Sequence, residues 1–305
     1  MKTQNHTTKE NKRRNFLKKS SLGLLGISAL NAPLLGKSVN ILPNSGKVEL
    51  AIATITCDGF GDRNFEKAFE IIPQLPFTNV EFNCWYARNL TPSGIHSIQQ
   101  RCYQHGLTPI CVQGSSFGAD GNIIKDVTHK LWNMQAAKQL GCRRVKFTGS
   151  GRDKSGGLEA VIEVLKEITP AAEEMDVLIL VENHANNNLE FIEDYERIFD
   201  VIDSSHVGMC MDNAHFNGSN VDLMEVVDKF HEKILHIDIK DTEKFGVHKV
   251  VNFGEGVTDN DGVIQKMLEY GYEGYLLIEM APPRNEATLV EDLTRAYHLF
   301  EKYQR

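Results

Sequence analysis

The chain has 305 residues, of which 41% are hydrophobic, and its formal net charge is −8. This length and composition allow a large buried core and fit one large domain, such as an α/β barrel. The first 37 residues carry a net charge of +7, so the remaining residues carry −15. A chain this acidic, without a strong local basic patch, does not favour nucleic acid as a partner.

Residues 1–37 have the pattern of a signal peptide. A basic segment, KRRNFLKK, precedes the short and weakly apolar stretch SLGLLGISAL, which is too short to span a membrane stably. The form R-R-x-F-L-K resembles the twin-arginine signal of bacteria. We therefore expect a twin-arginine-type signal peptide and a periplasmic or secreted mature protein with no stable membrane anchor. A disordered basic tail is the alternative.

From residue 47 to residue 305, apolar runs typical of strands alternate with helical patterns. Strands buried on both faces that alternate with helices indicate a parallel sheet. The predicted strands lie within Val48–Ile55, Asn79–Asn83, Thr108–Ser115, Arg143–Thr148, Val177–Asn183, Val207–His215, Ile234–Asp241 and Gly274–Met280. The predicted helices cover about Asn64–Gln74, Pro92–His105, Ile123–Leu140, Leu158–Met175, Leu189–Ile202, Val221–Lys233, Val263–Tyr270 and Glu286–Tyr303.

Eight strand–helix units in roughly 255 residues predict a TIM (β/α)8 barrel. The alternative is an open doubly wound sheet, which needs a glycine-rich phosphate loop after an early strand. The segment GFGD (Gly59–Asp62) does not have that pattern. Six cysteines, none of them in a CxxC motif, fall mostly in or beside predicted strands. We expect buried free thiols here rather than a disulfide framework.

The last four apolar runs, VLILVEN, VGMCMDNAH, ILHIDIKD and GYLLIEM, each carry a potential metal ligand. In a parallel barrel the C-terminal strand ends converge on one mouth, so these side chains would surround one point. Three carboxylates gathered there require a cation, and their types suit a hard or borderline divalent ion. The predicted ligands are Glu182, Asp212, His236 and Glu279. Any one of them alone could instead be an ordinary buried hydrogen-bonding group.

The order Glu, Asp-x-x-His, His, Glu on the fifth to eighth strands resembles the xylose isomerase-like barrel superfamily. That superfamily includes ketose 3-epimerases, inosose dehydratases and the endonuclease IV type. Five segments are similar to the sequences that family members have at the corresponding positions: VENHANN, MDNAH, HIDIKD, GEGVTDNDG and YEGYLLIEM. The resemblance covers nearly the whole chain after the leader. It implies a TIM barrel, one divalent cation (Mn, Mg, Co or Zn) on the four ligands above, and a substrate contact at His215.

The resemblance implies a sugar isomerase or epimerase. A divalent ion that chelates a ketone and a neighbouring hydroxyl acidifies the adjacent C–H, and two carboxylates can then remove and return the proton. Glu182 and Glu279 would take these catalytic roles. A lyase or hydratase acting on a 3-keto glycoside or an inosose-like compound is the close alternative. A non-catalytic carbohydrate-binding barrel is a third. The expected partner is a small sugar or keto-sugar, and a homo-oligomer stays open.

The chain departs from the ketose 3-epimerase pattern at two positions. Asn188 stands where those enzymes have a second Glu, and Thr242 stands where they have an Arg, which argues against a free ketohexose as substrate. Further candidates for substrate contact lie at or near the ends of other strands, and each could equally be a structural group. They are His184, Lys240, Glu81 and Trp85, with Lys146 as a contact for an acidic substrate.

Overall fold

The computed structural model describes residues 48–118, 121–152, 156–280 and 287–304, so the predicted signal peptide at residues 1–37 lies outside the described residues. The strands found there are β1 (Val48–Ala53), β2 (Asn79–Asn83), β3 (Thr108–Gln113), β4 (Arg144–Thr148), β5 (Leu178–Glu182), β6 (Val207–Asp212), β7 (Ile234–Ile239), β8 (Asp241–Lys244), β9 (Val247–Val251) and β10 (Gly274–Ile278).

Eight of these strands close into a parallel barrel in the order β1, β10, β7, β6, β5, β4, β3, β2. The predicted TIM (β/α)8 barrel is therefore confirmed. The intervening helices are α1 (Ile55–Asp58), α2 (Glu66–Ile71), α3 (Pro92–His105), α4 (Ile123–Leu140), α5 (Gly157–Met175), α6 (Ile192–Val201), α7 (Asn213–Gly218), α8 (Leu223–Phe230), α9 (Asn260–Glu269) and α10 (Leu289–Phe300).

The ends of α3 and α4 follow directly from the sequence. Each helix is followed by a glycine, Gly106 or Gly141, in the left-handed region with φ of 66° and 81°. Glycine adopts this conformation without the strain that a side chain imposes, so it satisfies the last carbonyl groups of a helix. Both helix boundaries agree with the predicted ones.

The barrel strands divide their side chains between two cores because successive residues of a strand point to opposite faces. Outward residues such as Ile52, Val145 and Ile237 join the large cluster that packs against the helices. Inward residues such as Ala51 and Leu180 form a smaller cluster inside the barrel. This small inner cluster leaves the upper part of the barrel interior to charged and amide side chains.

Two elements beyond β6 and β7 were not predicted. Helix α7 begins directly after β6, where the Asp212 side chain accepts a hydrogen bond from the backbone N–H of His215. Strands β8 and β9 form an antiparallel hairpin where the sequence predicted a loop, with Gly246 at φ 75° near its turn. Both elements are short, so they lack the periodic apolar pattern that made the barrel elements visible.

Two further observations concern the cysteines and the membrane. All six cysteines are buried and free, which confirms the prediction of buried thiols. Among the helices of the described residues, none combines the length and the apolar character needed to cross a membrane.

Candidate active site

A cavity of about 470 Å³ opens at the C-terminal ends of the barrel strands. Six residues that the sequence marked for the site line it: Glu182, His184, His215, Lys240, Glu279 and Trp85. The other lining residues are Ile55, Phe60, Gln113, Gly114, Ser115, Ser116, Thr148, Val250 and Met280. The cavity therefore has the position that active sites occupy in TIM barrels.

A relay of amide side chains fixes Glu182 at the end of β5. Asn83 Oδ1 accepts hydrogen bonds from the Thr54 hydroxyl and from the Ile55 backbone, both at 2.8 Å. The Asn83 amide donates to Gln113 Oε1, and Gln113 Nε2 donates to Glu182 Oε2 at 3.0 Å. Because the relay runs from β1 to β5, the position of this carboxylate depends on half of the barrel.

On the opposite side of the mouth, Lys240 joins two of the predicted ligands. Its Nζ lies 2.6 Å from Asp212 Oδ2 and 2.7 Å from Glu279 Oε1. Burial opposes the charge of the ammonium, but the two carboxylates outweigh burial and raise the pKa of Lys240. The side chain thus stays positively charged while it lines the cavity.

A second lysine forms a similar bridge deeper in the barrel. Lys146 Nζ lies 2.7 Å from Glu81 Oε1, 2.6 Å from Asp238 Oδ2 and 3.6 Å from Glu279 Oε2. Lys146, Glu81 and Asp238 are fully buried and do not line the cavity. Lys146 is therefore an internal counter-charge and cannot reach an acidic substrate in this arrangement, and Glu81 points to its lysine rather than to the cavity.

The structure brings together only part of the predicted ligand set. Carboxylate oxygens of Glu182, Asp238 and Glu279 lie within 4.8 Å of one another, which makes these residues a candidate metal group. His236 belongs instead to a group with Cys210 and Asp238, and its Nε2 lies 3.3 Å from Asp238 Oδ1. Asp212 is connected to Glu279 of this group through Lys240, whose ammonium contacts both carboxylates. The predicted metal roles of His236 and Asp212 stay predictions.

The register of β6 and β7 explains why Asp238 replaces His236 in this group. A bulge between Met209 and Cys210 sets Cys210 opposite His236 and Asp212 opposite Asp238. His236 consequently lies two residues below the level of Asp212. The sequence contained a signal for Asp238. Alternate residues of a strand point to the same face, so His236, Asp238 and Lys240 share one face, and Asp238 lies nearer the strand end than His236 does.

Carboxylate oxygens at and beneath the mouth form the donor set for a cation. One buried oxygen of each of Asp212, Asp238 and Glu279 has no partner in hydrogen-bonding geometry among the described residues. Their charge contacts are with Lys240, His236 and Lys146, respectively. Carboxylate oxygens are the donors that Mg²⁺ and Mn²⁺ prefer. The residues present therefore fit a divalent ion.

Burial dominates the protonation of the carboxyl groups near the mouth. It raises the pKa of Glu182 well above its usual value, and it raises the pKa of Asp212 to about 6 and that of Glu81 to about 7. Asp238 differs because Lys146 and His236 overcome the effect of burial and hold the pKa of Asp238 below its usual range. The site thus contains one carboxyl group whose ionised form is favoured, Asp238, and others, such as Glu182, whose protonated form is favoured.

Two histidines form the wall beside Lys240. The rings of His184 and His215 lie 4.0 Å apart, and the Nδ1 atom of His184 lies 2.9 Å from the carbonyl oxygen of Ala185. Burial lowers the pKa of His184, and burial with the nearby Lys240 lowers that of His215 well below its usual value. Neutral imidazoles at this position can accept or donate hydrogen bonds to substrate hydroxyl groups.

Comparison with known proteins agrees with this geometry. The model of the family described as xylose isomerase-like TIM barrel matches residues 69–297. The chain belongs to this family. Inosose dehydratase of Clostridium perfringens is 24% identical over 137 residues, which cover 40% of this chain and 46% of the relative. The match thus spans about half the length of that relative.

Two solved structures show the same fold. A D-tagatose 3-epimerase-like protein aligns with a TM-score of 0.69 and 20% identity over 84% of this chain and 96% of its own. IOLI protein with a bound zinc atom aligns with a TM-score of 0.70 and 18% identity over 84% of this chain and 99% of its own. These three similar proteins are thus a dehydratase, an epimerase-like protein and a zinc-binding protein.

Proposed function

We propose that the protein is a divalent-metal-dependent sugar isomerase or epimerase that transfers a proton next to a ketone. The observation that carries this proposal is the pair of carboxylates Glu182 and Glu279 at one cavity. They come from β5 and the end of β10, which β6 and β7 separate in the barrel, so they approach the cavity from two sides. Glu182 contacts Gln113 whereas Glu279 contacts Lys240, so the two carboxyl groups can differ in proton affinity.

The ion would be held by Glu182, Asp238 and Glu279, with Asp212 in reach of the same lysine. When bound, it would polarise the substrate ketone and acidify the neighbouring C–H. An oxygen-rich donor set supports Mg²⁺ or Mn²⁺ over softer ions, although one relative binds zinc. His236 remains the predicted fourth ligand from the sequence, with its position below the mouth as the argument against it.

The chain's own groups would carry the proton. Burial raises the pKa of Glu182, which makes its carboxylate a stronger base, and Gln113 holds that carboxylate in place. Glu279 would return the proton from the other side. Lys240 contacts Glu279 and lines the cavity, so its ammonium group can stabilise negative charge that develops on a substrate oxygen.

A dehydratase or lyase is the second candidate. It is favoured by the similarity to inosose dehydratase. The same proton removal by Glu182 would expel a leaving group located beta to the ketone. The two outcomes share every residue described above.

Deuterium incorporation from solvent tests the proposal. The protein, supplied with Mn²⁺, is incubated in D₂O with a panel of keto-sugars and 3-keto glycosides, and products are analysed by NMR. Deuterium in one interconverted sugar supports isomerisation or epimerisation. Deuterium with loss of water or of an aglycone assigns the lyase. No exchange across the panel would overturn both and favour a carbohydrate-binding barrel.

The proposed site of action is the periplasm or the external medium, which the basic and apolar pattern of residues 1–37 supports. Fractionation of bacterial cells that express the full chain tests this. We expect the protein outside the cytoplasm, and retention in the cytoplasm when Arg13 and Arg14 are both replaced by lysine. Equal export of the double variant would contradict a twin-arginine signal.

A further inference from the structure

Part of the cavity wall is aromatic. Phe60 and Trp85 stack with their ring centroids 5.5 Å apart and their planes 19° from parallel. Phe60 is 64% exposed, whereas Trp85 packs against the inner cluster of the barrel. A large aromatic side chain presented to solvent beside a polar site offers a surface for an apolar ring face.

The loop that presents Phe60 is held in place by its neighbours. The Tyr86 hydroxyl donates to the carbonyl of Phe60 at 2.8 Å, and the Asn89 amide donates to the carbonyl of Arg63 at 2.9 Å. Phe65, at the end of the loop, has φ 61°, a conformation that is unfavourable for a bulky side chain. The exposed ring therefore belongs to a fixed loop that the surrounding contacts maintain in a costly conformation.

The cavity is larger than one sugar ring. A hexose has about a dozen non-hydrogen atoms and fills on the order of 200 Å³ at the packing density of organic crystals. The cavity measures about 470 Å³. A sugar ring placed over Glu182, Glu279 and Lys240 would leave room beside Phe60 and Trp85, with Met280 and Val250 as further apolar contacts.

We propose that the Phe60–Trp85 wall is a subsite for a second ring, and that the substrate is therefore a glycoside. The reacting keto-sugar ring lies over the carboxylates, and a ring attached through the glycosidic bond stacks on the two aromatic side chains. That ring is an aromatic aglycone or a second sugar, since both present a flat apolar face. This inference deepens the proposed function, on whose placement of the reacting ring it rests.

The two tryptophans of the chain permit a direct test. Trp132 lies exposed on α4 and does not line the cavity. The Trp132→Phe variant therefore leaves Trp85 as the single reporter of fluorescence. It is titrated with the phenyl and methyl glucosides of both anomeric forms, with cellobiose and with glucose. We expect phenyl glucoside or cellobiose to change Trp85 emission and to bind about two- to tenfold more tightly than methyl glucoside.

Phe60→Leu, in the Trp132→Phe background, removes the stacking ring but keeps an apolar side chain. It should abolish the preference for the ring-bearing compound while binding of methyl glucoside changes less than twofold. Phe245→Leu in the same background is the matched control, because Phe245 is similarly exposed but lies outside the cavity. Equal affinities for phenyl glucoside, cellobiose and methyl glucoside, or a preference that survives Phe60→Leu, would overturn the subsite.

The outcomes separate this subsite from the proposed reaction. Binding is measured without proton transfer, so a preference for the ring-bearing compounds with no deuterium exchange contradicts only the proposed reaction. Deuterium exchange without any such preference contradicts only the proposed subsite. A preference for phenyl glucoside over cellobiose identifies an aromatic aglycone, and the reverse identifies a second sugar.

Discussion

The barrel interior contains two lysine bridges of nearly the same geometry. Lys146 joins Glu81 and Asp238, and Lys240 joins Asp212 and Glu279, all at 2.6 or 2.7 Å. The first bridge is sealed from solvent, whereas the second reaches the cavity. Like residue types therefore take different roles: the enclosed lysine compensates buried charge, whereas the lysine that lines the cavity can contact a substrate.

The largest expected effect comes from the carboxylate that faces the cavity. Glu182→Gln should lower the rate of deuterium exchange by about 10²–10⁴-fold, the range for loss of a general base. Folding should be retained, because glutamine is isosteric with glutamate and its side-chain oxygen can still accept the hydrogen bond from Gln113 Nε2. Glu159→Gln, at an exposed position of α5, is the control. Exchange within tenfold of the parent would exclude Glu182 as the base.

Removal of the enclosed lysine should mainly affect stability. Lys146→Met leaves Glu81 and Asp238 buried without their counter-charge, which costs about 3–5 kcal/mol of the free energy of unfolding. Lys240→Met should cost less, since Glu279 lines the cavity, where water can solvate its carboxylate. Urea unfolding measures both. Equal losses would show that the two bridges are energetically alike, and Glu81→Gln should partly rescue Lys146→Met.

Metal affinity distinguishes whether Asp238 or His236, both on β7, is a metal ligand. Asp238→Asn should weaken binding of Mn²⁺ by at least on the order of tenfold in calorimetric titration, because it replaces a charged carboxylate ligand with a neutral amide. His236→Asn should weaken binding less than Asp238→Asn does, since His236 lies below the group of oxygens and contacts it only through Asp238. The reverse order would restore the ligand set predicted from the sequence. Circular dichroism of both variants checks that the barrel remains folded.

The smallest effect concerns a carboxyl outside the barrel mouth. Burial raises the pKa of Asp58 to about 7, and Asp58 Oδ1 accepts a hydrogen bond from Ala68 N at 2.7 Å. The folded state therefore binds this proton more tightly than the unfolded state, so stability falls as the pH rises from about 4 through 7.

Asp58→Asn keeps the hydrogen-bond acceptor and removes the charge. The midpoint of thermal unfolding should rise by about 2–4 °C at pH 8, and the gain should shrink as the pH falls towards 5. Asp62→Asn is the control, because hydrogen bonds from backbone N–H groups oppose burial and hold the pKa of Asp62 below its usual value. A gain that does not depend on pH would contradict the raised pKa of Asp58.

Much of the fold could be predicted because its signals are local. The boundaries of β2, α3 and α4 agree with the predicted ones, since an apolar run or a terminal glycine marks each. Helix α7 and the hairpin of β8 and β9 were missed, because an Asp cap and a short polar turn do not produce a period. The placement of His184, His215, Lys240 and Trp85 at the cavity followed from their positions at or just past strand ends.

The sequence by itself determined the number of strand–helix units, their family, and the supply of acidic side chains at the ends of the later strands. Only the tertiary structure decided the level of each side chain in the barrel. The bulge between β6 and β7 raises Asp238 to the height of Asp212 and leaves His236 beside Cys210. Closure of the barrel then pairs Lys146 of β4 with carboxylates of β2 and β7, and Lys240 with carboxylates of the strands that flank β7. Register and closure join residues far apart in the chain, so the local pattern of one strand does not contain them.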